Sequence, residues 1–233
     1  MADKLLESFR SFEREFQDCL VVNAFTAISP PEMMYDDICT LALDNFTSLI
    51  ILPFHRQWSC DGNSVELEDE SLRDINYRVL ERAPCGKDDR EALFFTKRMT
   101  KNPHVKLTVV RFLSCDDDVD DDSKGSGWES KLDNELLDEI KTKNKIGNVS
   151  VKYVERTVKD GPETALIIRS LATEFDLIVV GRQAGVETPQ TSGLLQWSEY
   201  SELGVLGDLL VSTDAGGKAS VFVIQQQRTT MDV

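Results

Sequence analysis

Apolar residues recur every three or four positions from Ala2 to Gln17, with Leu5, Leu6, Phe9, Phe12 and Phe16 on one helical face, and this predicts an amphipathic helix. Leu20 to Ala27 then predicts a strand. Ser29-Pro30-Pro31-Glu32 predicts a helix start, with Ser29 as cap, Pro30 in the first turn and Glu32 closing a capping box. The helix that follows carries Met34, Ile38, Leu41 and Ala42 on one face, and the aliphatic run Leu49 to Leu52 inside Phe46 to His55 predicts a buried parallel strand. A polar loop, Gln57 to Glu70, leads to a helix bearing Leu72, Ile75, Tyr77, Val79 and Leu80, which stops near Pro84.

The same order returns downstream. Asp160-Gly161-Pro162-Glu163 reads as a capping box, a helix runs through Ile167, Ile168 and Leu171, and Glu174 to Arg182 reads as a strand ending in a glycine turn. A short helix over Leu203 to Leu210 and a closing strand, Ala219 to Ile224, complete this copy. The closing strand has no upstream counterpart, because Ala83-Pro84-Cys85 runs directly into Gly86 to Glu91, where Asp88 reads as the cap of a new helix and Glu91 closes its box. Between the copies, Val105 to Leu113 and Val149 to Val154 read as strands, Glu129 to Lys143 as a helix, and Asp116 to Gly127 as an exposed acidic loop. Strands alternating with helices imply parallel βαβ units. The predicted fold is α/β, with two incomplete Rossmann-like parallel-sheet units in tandem: residues 1–85, truncated at both ends, and residues 86–233, lacking an opening strand.

Apolar residues make up 41% of the 233, enough for a packed core, yet no run approaches the roughly 20 residues that cross a bilayer. The start, Met1-Ala2-Asp3-Lys4, lacks a signal-peptide pattern, and five scattered cysteines suggest neither a disulfide framework nor a zinc site. A cytosolic chain is expected. A net charge of −15 excludes the basic face that nucleic acid requires and disfavours adsorption to anionic lipid.

Seven stretches together resemble the cytosolic C-terminal region of plant cation/proton exchangers, the monovalent cation:proton antiporter family. They are Thr26 to Pro30, Asp36 to Cys39, Ile50 to His55, Val79 to Cys85, Asp88 to Leu93, Asp176 to Arg182 and Trp197 to Leu210. The resemblance implies two universal-stress-protein-like units behind a membrane antiporter domain, in endomembranes or the plasma membrane, with this region facing the cytosol. It implies a regulatory role in potassium or sodium transport and pH homeostasis, with no transport by the chain itself. It also implies partners in the membrane domain or other family members, including a homodimer. Family members run on from Ala-Pro-Cys through a closing strand, a linker and the next opening strand, which this chain lacks.

The alternative is a free nucleotide-binding protein of the universal-stress type, with ATP as ligand. Gly181, Arg182, Gly185 and Gly193 are its candidate nucleotide-binding residues, but the glycines are out of register with the G-x2-G-x9-G-[ST] loop of ATP-holding units. Pro53, at the equivalent place upstream, has no N–H to offer. With the register lost, no cofactor is expected. Asp118, Asp120, Asp122 and Glu129 match part of a calcium-loop count, but Ser123 stands where the loop needs glycine, so a solvated loop is the reading and no metal site is assigned. His104 sits in no metal spacing, whereas His55, at a strand end, is a candidate pH sensor. Trp197, Glu199 and Tyr200 either pin their loop to the sheet or form a docking surface. No nucleophile elbow or Ser-His-Asp order is present, and the chain is not expected to be an enzyme.

Overall fold

The computed structural model describes residues 2–15, 21–25, 28–54, 56–58, 64–66, 70–82, 87–115, 128–145, 150–183, 185–212 and 219–227. By contact the chain divides into two compact units, Met1–Leu52 and Pro53–Val233. The repeat pattern had drawn its line at 85/86. The contact line falls earlier because the helix before that point interacts with the downstream unit: Gln225 Nε2 donates to the Leu80 carbonyl at 3.0 Å, and Arg73 pairs with Glu202 at 3.3 Å.

The smaller unit holds helix α1 (Ala2–Glu15), a 3-10 turn over Pro31–Met33 and helix α2 (Met34–Asp44). The expected capping box at Ser29 does not form. Pro30 is itself the cap, with ψ 144° and no side-chain cap bond, because Pro31 forces the residue before it out of the helical region. Among the described residues neither expected strand forms: residues 21–25 and 47–54 make no ladder. Their apolar side chains are therefore left in solvent, with Val21 75%, Phe25 60% and Ile51 73% exposed. A strand is defined by its neighbour, and an apolar run alone does not create one.

In the larger unit, Arg56–Trp58 (β1) and Ser64–Glu66 (β2) form an antiparallel hairpin with Gln57 opposite Val65, where a polar loop had been expected. Helix α3 (Glu70–Arg82) buries Ile75 and Val79. Tyr77 lies off that face, exposed, and donates to Glu81 at 2.7 Å. Next come α4 (Asp88–Met99), β3 (Leu107–Ser114), α5 (Trp128–Lys145), β4 (Val151–Val158), α6 (Gly161–Glu174), β5 (Leu177–Gly181), α7 (Gly204–Val211) and β6 (Ser220–Ile224). The Asp160 cap forms as expected: Asp160 Oδ1 accepts from the Glu163 N–H at 3.0 Å, while Glu163 Oε2 accepts from the Lys159 N–H at 2.9 Å.

Strand β3 pairs in parallel with β4, Leu107 opposite Val151 through Ser114 opposite Val158, and β5 pairs in parallel with β6, Leu177 opposite Ser220 through Gly181 opposite Ile224. The two pairs are not hydrogen-bonded to each other. They share one apolar cluster in which Ile168 and Ala172 of α6 and Leu210 of α7 are buried, with Phe112, Ile178, Val180, Leu206, Leu209 and Val221 packed around them. Helix α4 packs on the second pair, with Phe95 edge-on to Phe222 at 6.2 Å, and is tied to α5 by Arg90–Asp133 and Lys97–Glu139 contacts of 2.5 and 2.6 Å. The architecture is a mixed α/β fold of short parallel strands, consistent with the Rossmann-like expectation.

Candidate functional site

In open parallel sheets, ligands gather beyond the carboxyl ends of the strands. Here those ends belong to β5 and β6, and side chains from the start of α4 cover them. Asp88, 2% exposed, accepts from the backbone N–H of Gln183 just past β5 at 3.0 Å and from that of Gln226 just past β6 at 2.9 Å. The expectation that Asp88 caps α4 is corrected. Lys87 is the N-cap, no side chain caps the helix, and Glu91 pairs with Arg98 at 3.2 Å instead of closing a box. Asp88 is pulled outward by two strand-end donors that no helical N–H rivals, while the positive end of the α4 dipole still favours its charge.

Asp89 takes the second place at this edge. Its carboxylate accepts from the Gly181 N–H and the Gln183 side-chain amide. Burial, then the neighbouring Asp88 charge, raise its pKa above the ordinary carboxylate value. The approach is close enough that a Cβ at Gly181 would lie 2.5 Å from the Asp89 nitrogen and 2.7 Å from the Asp88 carbonyl carbon. Glycine at the end of β5 is therefore required by helix contact.

The remaining candidate nucleotide-binding residues are also engaged by the protein. Arg182 is buried, its Nε donating to the Glu202 carbonyl at 2.7 Å and its Nη1 to Gln225 Oε1 at 2.6 Å. Gly193 donates its N–H to Glu187 Oε1 at 2.8 Å, and Gly185 turns the chain with φ +70°. Every donor named along this turn ends on an acceptor of the chain, and three of those acceptors are carboxylates.

Trp197, Glu199 and Tyr200 are sent in different directions. Tyr200 is 1% exposed, its N–H donating to Asp208 Oδ1 at 2.7 Å and its ring edge-on to Phe54 at 5.3 Å beneath the Arg73 guanidinium. Glu199 is exposed; its N–H donates to Asp208 Oδ2 at 3.1 Å and its carbonyl accepts from Arg73 at 2.7 Å. Trp197 is 85% exposed. His55 and the acidic loop 116–127 lie outside the described residues. His104 is exposed, its N–H bonded to Asn102 Oδ1 at 3.0 Å. Among the described residues no group of His, Cys, Asp or Glu is placed to hold a metal, and no helix is long and apolar enough to cross a membrane.

Sequence reading missed the joint role of Asp88, Asp89, Gln183 and Gln226. The available signal was two adjacent acids, Asp88 and Asp89, opening a helix.

Fold and site together define an α/β module whose strand-end cleft is closed by its own acidic side chains. The chain belongs to the plant cation/H(+) antiporter family. The profile described as "Plant cation/H(+) antiporter, C-terminal domain" matches residues 84–225, and "Plant cation/H(+) antiporter domain" matches residues 1–87. Among curated relatives from Arabidopsis thaliana, Cation/H(+) antiporter 8 is 39% identical over 261 positions, covering 98% of this chain and 32% of that protein. Cation/H(+) antiporter 3 is 35% identical over 268 positions, covering 97% and 32%. The chain thus spans about a third of the length of the curated relatives it matches. The second alignment, 268 positions against 233 residues, leaves at least 35 positions (268 − 233) at which the relative has residues and this chain has none. No solved structure matches.

Proposed function

We propose that this chain is a regulatory, non-transporting and non-catalytic module of a monovalent cation/proton antiporter, serving potassium or sodium balance and pH homeostasis from the cytosolic side. It acts by association with the antiporter's membrane domain or with other family members. The observation that carries this reading is the closed strand-end cleft: its donors are held by Asp88, Asp89 and Glu187, while a large aromatic, Trp197, is left 85% exposed on the loop beside it. Such a module has surface to offer a partner and little room for a substrate. His55 remains a proposed pH-responsive group and Trp197, with Glu199, a proposed contact surface. The test is expression in yeast lacking its own sodium and potassium exchangers. The chain alone leaves growth unchanged; the chain joined behind an antiporter's membrane domain alters the cation or pH dependence of growth, and Trp197→Ala weakens that effect. Rescue by the chain alone, or no effect of the joined chain, overturns the reading.

A nucleotide at Gly181, Arg182, Gly185 and Gly193 would have to bring phosphate oxygens against three carboxylates, Asp88, Asp89 and Glu187, a like-charge contact. Calorimetric titration with millimolar ATP is expected to give no saturable heat. A dissociation constant near or below about 10 μM, roughly −7 kcal/mol, would restore the universal-stress alternative.

A further inference from the structure

Among the described residues the larger unit has strand edges without a ladder partner, and the smaller unit has an aliphatic run, Leu49 to Leu52, that makes no ladder. Among the described residues, strands β3 and β5 each have a ladder partner on one side only. Which side is open follows from the hydrogen-bond alternation. The Arg182 N–H reaches back to the Ile224 carbonyl of β6 at 2.9 Å, so along β5 the amides of Val180 and Ile178 face β6 while those of Gly181, Val179 and Leu177 face away. Of these, Gly181 is taken by Asp89, which closes the edge at its carboxyl end. Along β3, the Leu107 N–H reaches the Ser150 carbonyl beside β4 at 2.7 Å, so the amides of Thr108, Val110 and Phe112 face away from β4. Phe112 of β3 nevertheless packs in the same cluster as Ile178 and Val180 of β5. Two-stranded sheets are marginal by themselves. Ile178, Val179 and Val180 are only half-buried, although such an uninterrupted aliphatic run belongs on a strand covered on both sides.

Residues 47–54 make no ladder, and Leu49, Ile50 and Ile51 are all exposed. The segment Phe46 to Phe54 has no charged side chain, so it can approach a chain of net charge −15 without local repulsion. At five residues from Ser48 to Leu52 it equals β5 in length, and Pro53 ends it without spending an inner ladder position. At least 35 positions of a relative have no counterpart in this chain, more than a strand of this length needs.

We infer that two copies of this chain associate by strand exchange, Ser48–Leu52 of each adding as an extended strand along the open edges of β3 and β5 in the other. Because each copy both gives and receives, the contact is two-fold symmetric and closes at a dimer. Backbone hydrogen bonds supply the registry, and the aliphatic side chains extend the cluster around Ile168, Ala172 and Leu210. The pairing concerns this chain alone and does not depend on the antiporter it serves.

Light scattering coupled to size exclusion, run on the full chain, should give about twice 26.2 kDa at tens of micromolar and a concentration-dependent return to monomer. Hydrogen exchange on the same samples should show the amides of Leu177, Val179, Thr108, Val110 and Phe112 gaining protection as the dimer forms. Ile51→Lys should weaken dimerisation at least tenfold while leaving the melt of the dilute, monomeric chain unchanged, since Ile51 is already in solvent in the single copy. A chain that stays monomeric into the hundreds of micromolar overturns the inference. So does a dimer that forms without protecting those five amides, and that readout needs no variant.

Discussion

Asp88→Ala is expected to lower the unfolding free energy by about 3 kcal/mol, roughly 1.5 for each charge-assisted hydrogen bond lost. Two backbone N–H groups, of Gln183 and Gln226, lose their acceptor at a position only 2% exposed, where water cannot readily replace it. Removing a buried charge also recovers some desolvation energy. That recovery is the smaller effect here, because the carboxylate sits at the N-terminal end of α4, where the helix dipole already favours negative charge. A protein of this size should then melt about 6–12 °C lower. Asp88→Asn, keeping one acceptor oxygen, should fall about midway. Thermal or urea unfolding decides it, and an alanine variant within about 0.5 kcal/mol of the parent, the usual span of a neutral surface change, would remove Asp88 from its assigned role as the clasp between β5 and β6.

Gly204→Ala should be as damaging for a different reason. Gly204 has φ +70° and ψ 171°, a region open essentially to glycine alone, at a cost of about 1–3 kcal/mol for any other residue. An added Cβ would also run into the Arg182 backbone, lying 2.7 Å from its carbonyl carbon. Arg182 cannot easily give way: its backbone is laddered to Ile224 and its guanidinium is buried against Glu202 and Gln225. Strain and displacement together should cost about 3–5 kcal/mol, in the range reserved for overpacking and backbone strain. The expected result is low soluble yield or a melt lowered by on the order of 10 °C. A melt within about 2 °C of the parent, under 1 kcal/mol, would mean that the 200–204 loop is free to move away from Arg182.

Both effects arise where the chain closes its own strand ends. The backbone donors there end on Asp88 and Glu187, while Trp197, on the same loop as Gly193, is 85% exposed.

Most elements were legible in the sequence, because helix periodicity, aliphatic strand runs and caps are set by neighbours within a turn or two. The Asp160 cap, whose carboxylate accepts from the N–H three residues on, formed as read, while Glu163 reaches the Lys159 N–H and does not close the box on Asp160. The helices α3, α4, α5, α6 and α7 and the strands β3, β4, β5 and β6 likewise lie near where pattern put them. What failed depended on distant partners. Leu49 to Leu52 has the composition of a buried strand but found no ladder. Asp88 looked like a helix cap, yet its hydrogen-bond partners lie 95 and 138 residues further along the chain. Tyr200 and Trp197, three positions apart on one loop, could not be told apart until packing buried one and left the other in solvent. The sequence by itself determined the order of the helices and of the strands from β3 onward, since those are local patterns. Only the tertiary structure decided that the sheet would split into two pairs and that an acidic helix start would seal the strand ends, because hydrogen bonds between strands and burial of a carboxylate are made by chain segments that meet only on folding.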